Sequence, residues 1–227
     1  MLNRNMLWFR WYNCVHAPDN QREAMEFMVT CLDPQKYKAL SQEIEEHFAR
    51  CNDKRYPVIK RLENFGTRSK VELINWKGKP AVKKTFKVGQ EKFFDREVFA
   101  HTVLSEKSSV IPKALEVGDG YLIIPFYEEV PLSKNLVSQH KAEILDFLKF
   151  MYVEDYYLVD FNPNNILITS DGEIKCIDFE FLQKYGDKPR DFLLSYDVAG
   201  VPLDVQSGID LPIGYSKRRL NYKFAWE

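Results

Sequence analysis

Cysteine is scarce in this 227-residue chain: four residues, Cys14, Cys31, Cys51 and Cys176, lie far apart. No C-x-x-C pair occurs, and none of the four histidines stands at ligand spacing from a cysteine, so a structural zinc site is not expected. Disulfide-built domains are short and cysteine-dense. This chain is neither, and free thiols in a reducing, cytoplasmic compartment are the expectation. Net charge is lacking too, with 32 Lys and Arg against 33 Asp and Glu. No global field favours nucleic acid, and none is expected as a partner. No run approaches the roughly 18 apolar residues that a spanning helix needs. The opening "MLNRNMLWFRWYNCVHAPDN" is interrupted by Arg10 and has no small-residue cleavage site. Trp8, Phe9, Trp11 and Tyr12 are therefore expected to pack on the body. Internal repeats and low-complexity tracts are missing as well.

What is present suffices for a sizeable core: 45% of residues are hydrophobic and 14% aromatic. Residues 1 to 57 read as a helical extension. Asp19 or Asn20 offers a cap for "APDNQREAMEFMVTCL", and Asp33 followed by Pro34 opens a second helix. Residues 58 to 127 turn to β-branched and aromatic runs, "KVELINW", "AVKKTFK" and "YLIIPFY", separated by "KGKP" and "VGDG" turns. Within them, "EKFFDREVFAHTVLSEK" repeats Phe94, Val98, Phe99, Thr102 and Val103 at helical spacing and predicts one helix among the strands. From 128 to 227 a longer amphipathic helix, from "LSKNLVSQHKAEILDFLKFMYVED" onward, leads to a hairpin and a turn-rich tail.

The hairpin carries the chemistry. In "DFNPNNILITSDGEIKCIDFE", Asp160 and Asn165 precede the apolar run "ILI", and Asp178 follows a Ser-Asp-Gly turn and "IKCI". Folded back, Asp160, Asn165 and Asp178 meet at one end. Two carboxylates and an amide oxygen are hard donors that suit one or two Mg²⁺ ions. Upstream, Lys83 sits on a predicted strand and Glu97 on the helix after it, with Glu91 the rival glutamate. A strand lysine on nucleotide phosphates, steered by a helix glutamate, completes a parts list for phosphoryl transfer from ATP. His101 and His140 are expected to pack or face water.

These elements, over roughly residues 60 to 182, resemble the protein-kinase-like superfamily. "DFNPNNILI" is similar to its catalytic loop, "IDFE" to its D-F-G metal motif with Glu180 in place of glycine, and "AVKK" to its A-x-K strand. The resemblance implies an α+β, two-lobed fold with a small antiparallel-sheet N-lobe (58 to 127), a shortened helical C-lobe (128 to 227) and a helical N-terminal extension. It implies that Asp160 orients an acceptor hydroxyl and takes its proton. Asn165 and Asp178 would hold Mg²⁺, and Lys83 would hold the ATP phosphates with Glu97 as partner. Gly66 would turn the phosphate-covering loop, Ile124 would stand near the gatekeeper position, and Pro125, Phe126 and Tyr127 would lie against adenine.

Departures from the family's pattern bear on the acceptor. Leu158 and Val159 replace the usual His-Arg, so no arginine is present there to read a phosphorylated activation loop. Asn162 and Asn164 stand where protein kinases carry a cation, and only 49 residues follow Asp178. Amides suit sugar hydroxyls, so Asn162 is expected to touch the acceptor, a sugar of a glycan or lipopolysaccharide. The rival readings are a minimal, effector-like protein serine/threonine kinase and a pseudokinase binding module. Lys217, Arg218, Arg219 and Lys223 offer peripheral contact with an anionic membrane.

Overall fold

The structure, a computed structural model, describes residues 28–51, 55–62, 68–130, 138–212 and 215. The chain divides into two compact units, Met1–Ala49 and Arg50–Glu227. In the first, Asp33 caps helix α1 (Pro34–Cys51) as its position before proline predicts. Its Oδ1 accepts hydrogen bonds from the backbone N–H groups of Gln35 (3.1 Å) and Lys36 (3.0 Å). The helix and cap proposed around Asp19 or Asn20 lie outside the described residues.

The second unit is α+β and opens with a small antiparallel sheet. Its strands β1 (Val58–Arg61), β2 (Ser69–Trp76), β3 (Lys79–Phe86), β4 (Glu116–Gly118) and β5 (Tyr121–Pro125) run in the order β1-β2-β3-β5-β4. A two-residue turn joins β2 to β3. Lys77 and Gly78 both have positive φ (51° and 85°), the twist that a tight hairpin needs, and the Asn75 side chain accepts the Gly78 N–H at 2.9 Å. Register then sets Val82 opposite Ile124 and Lys84 opposite Leu122.

Helix α2 (Glu91–Thr102) forms where the sequence places it, but its buried side is rotated from the expected apolar stripe. Phe93, Glu97, Ala100 and His101 are buried, while Val103 is exposed. The apolar spacing misleads because Glu97 and His101 find polar partners inside, which removes the usual cost of burying them.

The remaining elements build the larger core. Helix α3 (Lys141–Val153) buries Ile144, Phe147, Leu148 and Met151, a stripe at i, i+3, i+4 and i+7. These pack with Leu158, Phe161, Ile166, Ile168, Ile174 and Phe179. Strand β6 (Tyr156–Leu158) pairs with β9 (Leu182–Lys184), and between them β7 (Ile166–Ile168) pairs with β8 (Ile174–Cys176) as the expected hairpin. Gly172, at φ 80°, closes its turn with a 2.9 Å hydrogen bond to the Thr169 carbonyl. Two short helices follow, α4 (Tyr196–Ala199) and α5 (Leu203–Gln206). Among the described residues, no helix is long and apolar enough to cross a membrane.

Candidate active site

Side chains alternate along β3, and the alternation decides which lysine enters the cleft. Lys84 shares its face with Val82 and lines a cavity of about 200 Å³ together with Val71, Leu122, Ile124 and Asp178. Its Nζ reaches Glu97 Oε1 at 2.5 Å, Asp178 Oδ1 at 2.8 Å and Glu180 Oε1 at 2.9 Å. Lys83 points to the other face of the sheet. There its Nζ lies 4.7 Å from the centre of the Tyr121 ring and 5.6 Å from that of Tyr56. The A-x-K frame therefore selects the wrong lysine, one residue early, and Lys84 takes the place in the cleft that the sequence reading gave to Lys83.

Glu97 is 1% exposed and fully engaged. Oε1 accepts Lys84 Nζ and the Phe179 N–H (3.0 Å), and Oε2 meets His101 Nε2 at 3.1 Å. The other ring nitrogen of His101 lies 2.6 Å from the Pro112 carbonyl oxygen, and the ring packs edge-on against Phe179. His101 thus packs, as expected, and in packing it steadies Glu97. Burial alone would raise the Glu97 carboxyl, but the Lys84 charge and His101 outweigh it and hold the group well below the usual range. Burial likewise works against the Lys84 ammonium, and is overcome by Asp178, Glu97 and Glu180. Glu91 stays at the surface, where it accepts the Gly89 N–H at 3.0 Å.

Asp178 adopts φ 67°, a left-handed conformation that is strained for a side-chain-bearing residue outside Asn and Asp. Next to it, Glu180 is 4% exposed and meets Arg68 as well as Lys84, with Ser69 Oγ donating to its Oε1 at 3.2 Å. Oxygen atoms of Glu97, Asp178 and Glu180 all lie within 4.8 Å of one another. Three carboxylates thus face two cations, Lys84 and Arg68, and the surplus of negative charge favours a further cation. Hard oxygen donors of this kind fit Mg²⁺.

Asp160 stands beside the cavity, tied to it through Asn165. Asn165 lines the cavity and donates Nδ2 to the Asp160 carbonyl oxygen at 2.8 Å. Burial pushes the Asp160 carboxyl up to about 6, against the hydrogen bond from Asn162 and with help from the Asp178 charge. A cation at Asp178 would draw it down again. Asn162 is committed within the loop: Oδ1 accepts the Asn164 N–H at 3.0 Å, while Nδ2 donates to Asp160 Oδ1 at 2.8 Å. It positions Asp160 from within the loop, and its Oδ1 keeps a second lone pair beyond the one that accepts the Asn164 N–H.

Of the residues expected against adenine, Ile124 lines the cavity. Pro125, Phe126 and Tyr127 continue past it, Pro125 paired with Ala81 and Tyr127 under Lys175 at 5.5 Å. Gly66, Lys217, Arg218, Arg219 and Lys223 lie outside the described residues.

One buried group went unread in the sequence. Asp197, at the start of α4, is 0% exposed, and its Oδ1 accepts the Leu158 N–H at 2.6 Å, two residues before Asp160. Oδ2 has no hydrogen-bond partner. Only the 39-residue separation hid this anchor, since "SYDVAG" alone shows nothing of it. Burial raises the carboxyl to about 7, above its unfolded value near 4. The folded chain therefore holds a proton that the unfolded chain has released between those values, so this group lowers stability as pH rises from about 4 to 7. Asp197→Asn keeps an acceptor for Leu158 and removes the charge. Relative to the wild type its melting temperature should be several degrees higher at pH 8 than at pH 5, read by thermal denaturation at both. A pH-independent difference would contradict the assignment.

No protein-family model matches the chain, and no curated protein matches it.

Proposed function

We propose that this protein is a kinase-like phosphotransferase that moves the γ-phosphoryl group of ATP to a hydroxyl acceptor. The observation that carries the reading is the meeting of Lys84, Glu97, Asn165 and Asp178 on one cavity with Asp160 beside it. Such a set answers the main demand of phosphoryl transfer, which is to position the reactants and offset charge on the transferred group. Lys84, braced by Glu97, holds the nucleotide phosphates. Asp178 and Asn165 hold Mg²⁺, with the Glu180 carboxylate in reach. The ion, when bound, offsets negative charge on the phosphates. Asp160 orients the acceptor hydroxyl and takes its proton.

The acceptor in this reading is a sugar hydroxyl of a glycan or lipopolysaccharide. The loop Phe161-Asn162-Pro163-Asn164 supplies no cation for a charged peptide, and with Asn162 engaged the exposed amide is that of Asn164. The protein works in the cytoplasm, with peripheral membrane contact through its basic C-terminal residues.

Incubation with γ-labelled ATP, Mg²⁺ and a panel of oligosaccharides, purified glycans and proteins tests this. Label is expected in a glycan and not in proteins at large. Label confined to one specific protein would replace the glycan reading with that of a minimal protein kinase. Nucleotide binding without transfer to any member of the panel would favour a binding module.

A further inference from the structure

Helix α2 delivers Glu97 to Lys84, so whatever fixes α2 fixes the pair. On the flank of the helix, Lys92 and Arg96 stand four residues apart, and both reach one carboxylate, Asp210, beyond α5. Lys92 Nζ meets Asp210 Oδ1, and Arg96 Nη2 meets Asp210 Oδ2 at 2.8 Å. Arg96 also donates Nη1 to the Glu180 carbonyl at 3.2 Å and Nη2 to Gln183 Oε1 at 3.4 Å, tying the helix to the chain that follows Asp178.

The tail around Asp210 is itself seated. Val205, Ile209, Leu211 and Tyr215 pack against the cluster that contains Phe86, Phe93 and Phe181. The Gln206 side chain donates to the Val201 carbonyl at 2.8 Å, and the Tyr215 hydroxyl accepts the Val201 N–H at 3.2 Å. Burial of Asp210 would favour its neutral form, but hydrogen bonds from Lys92 and Arg96 outweigh it and keep the carboxylate charged.

We propose that residues 201–212 act as a built-in brace. Asp210 is a positioning residue that holds α2 by Lys92 and Arg96, so that Glu97 stays on Lys84. This rests on the phosphotransfer reading only for its consequence in turnover, because the brace itself is a statement about the Lys84–Glu97 pair. A pair kept in place from within the same chain needs no external partner to assemble it.

Lys84 acylation by an amine-reactive ester, followed by peptide mass spectrometry, reads the pair without any nucleotide. Asp210→Asn and Asp210→Ala are expected to raise the Lys84 acylation rate roughly five- to tenfold, inside the range of coupling between contacting groups. Asp210→Glu should restore it. Lys92→Gln, at an exposed side chain, should move it the same way by less. In a Glu97→Gln background the Asp210 substitutions should add nothing, since the pair is already broken. On the phosphotransfer reading, Mg-ATP affinity should fall in the same variants that raise the acylation rate. An unchanged Lys84 rate in Asp210→Ala, with melting temperature within a few degrees of wild type, would overturn the brace. An equal rise in the Glu97→Gln background would overturn it too, by showing an effect of packing at large. Failure of the wild type to bind Mg-ATP would sink the phosphotransfer reading, while Lys84 acylation would still decide the brace.

Discussion

Lys84→Ala is expected to cut phosphoryl transfer by roughly 100- to 1,000-fold, the loss seen when one preorganised hydrogen-bond donor at a reacting centre is removed. Lys83→Ala should leave transfer within a few fold of wild type. The asymmetry follows from β3 itself. Lys84 faces Glu97, Asp178 and Glu180, whereas Lys83 faces the aromatic rings of Tyr56 and Tyr121 across the sheet. Lys83 is 3% exposed, so its loss should appear in stability, as a melting temperature lower by several degrees. Steady-state transfer and thermal denaturation of the two variants separate the outcomes. Loss of transfer on substituting Lys83 but not Lys84 would contradict the register.

Asp160→Asn and Asp178→Asn should both abolish most transfer, yet by different routes. Asp178 bonds to Lys84 and belongs to the oxygen cluster fit for Mg²⁺, so its amide variant should weaken Mg-ATP binding by roughly tenfold or more, the loss expected when one partner of a close charge pair is removed. Asparagine tolerates the φ of 67° at this position, so the fold should survive. Asp160 lies beside the cavity and, among the described residues, bonds within its own loop, to Asn162 through its side chain and to Asn162 and Asn165 through its carbonyl. Its variant should keep ATP affinity within a few fold while kcat falls roughly 100-fold or more, the contribution of a positioned proton acceptor. Nucleotide binding and turnover, measured on both variants, separate the two roles. Equal loss of ATP affinity would contradict the division.

Much of this arrangement was legible in the sequence because it is local. The Asp33 cap, the Lys77-Gly78 turn, the α3 stripe and the β7–β8 hairpin each follow from residues within a few positions of one another. The choice between Lys83 and Lys84 was not legible, for a physical reason. Ala81, Lys83 and Thr85 are buried, more deeply than Val82 and Lys84 on the cleft side, so the strand has no exposed polar face to mark its register. The A-x-K frame then favoured Lys83. The buried side of α2 was misread because Glu97 and His101 occupy core positions, which an apolar count passes over. Asp197, Glu180 and Asp210 act on residues 39, 96 and 114 positions away, and no local pattern carries such pairings.

Calorimetric titration of ATP into the wild-type protein, with and without Mg²⁺, tests the central claim most directly. One nucleotide should bind per chain, binding should strengthen markedly with Mg²⁺, and Lys84→Ala should weaken it where Lys83→Ala does not. ATP binding that is absent, or indifferent to both Mg²⁺ and Lys84, would contradict the account.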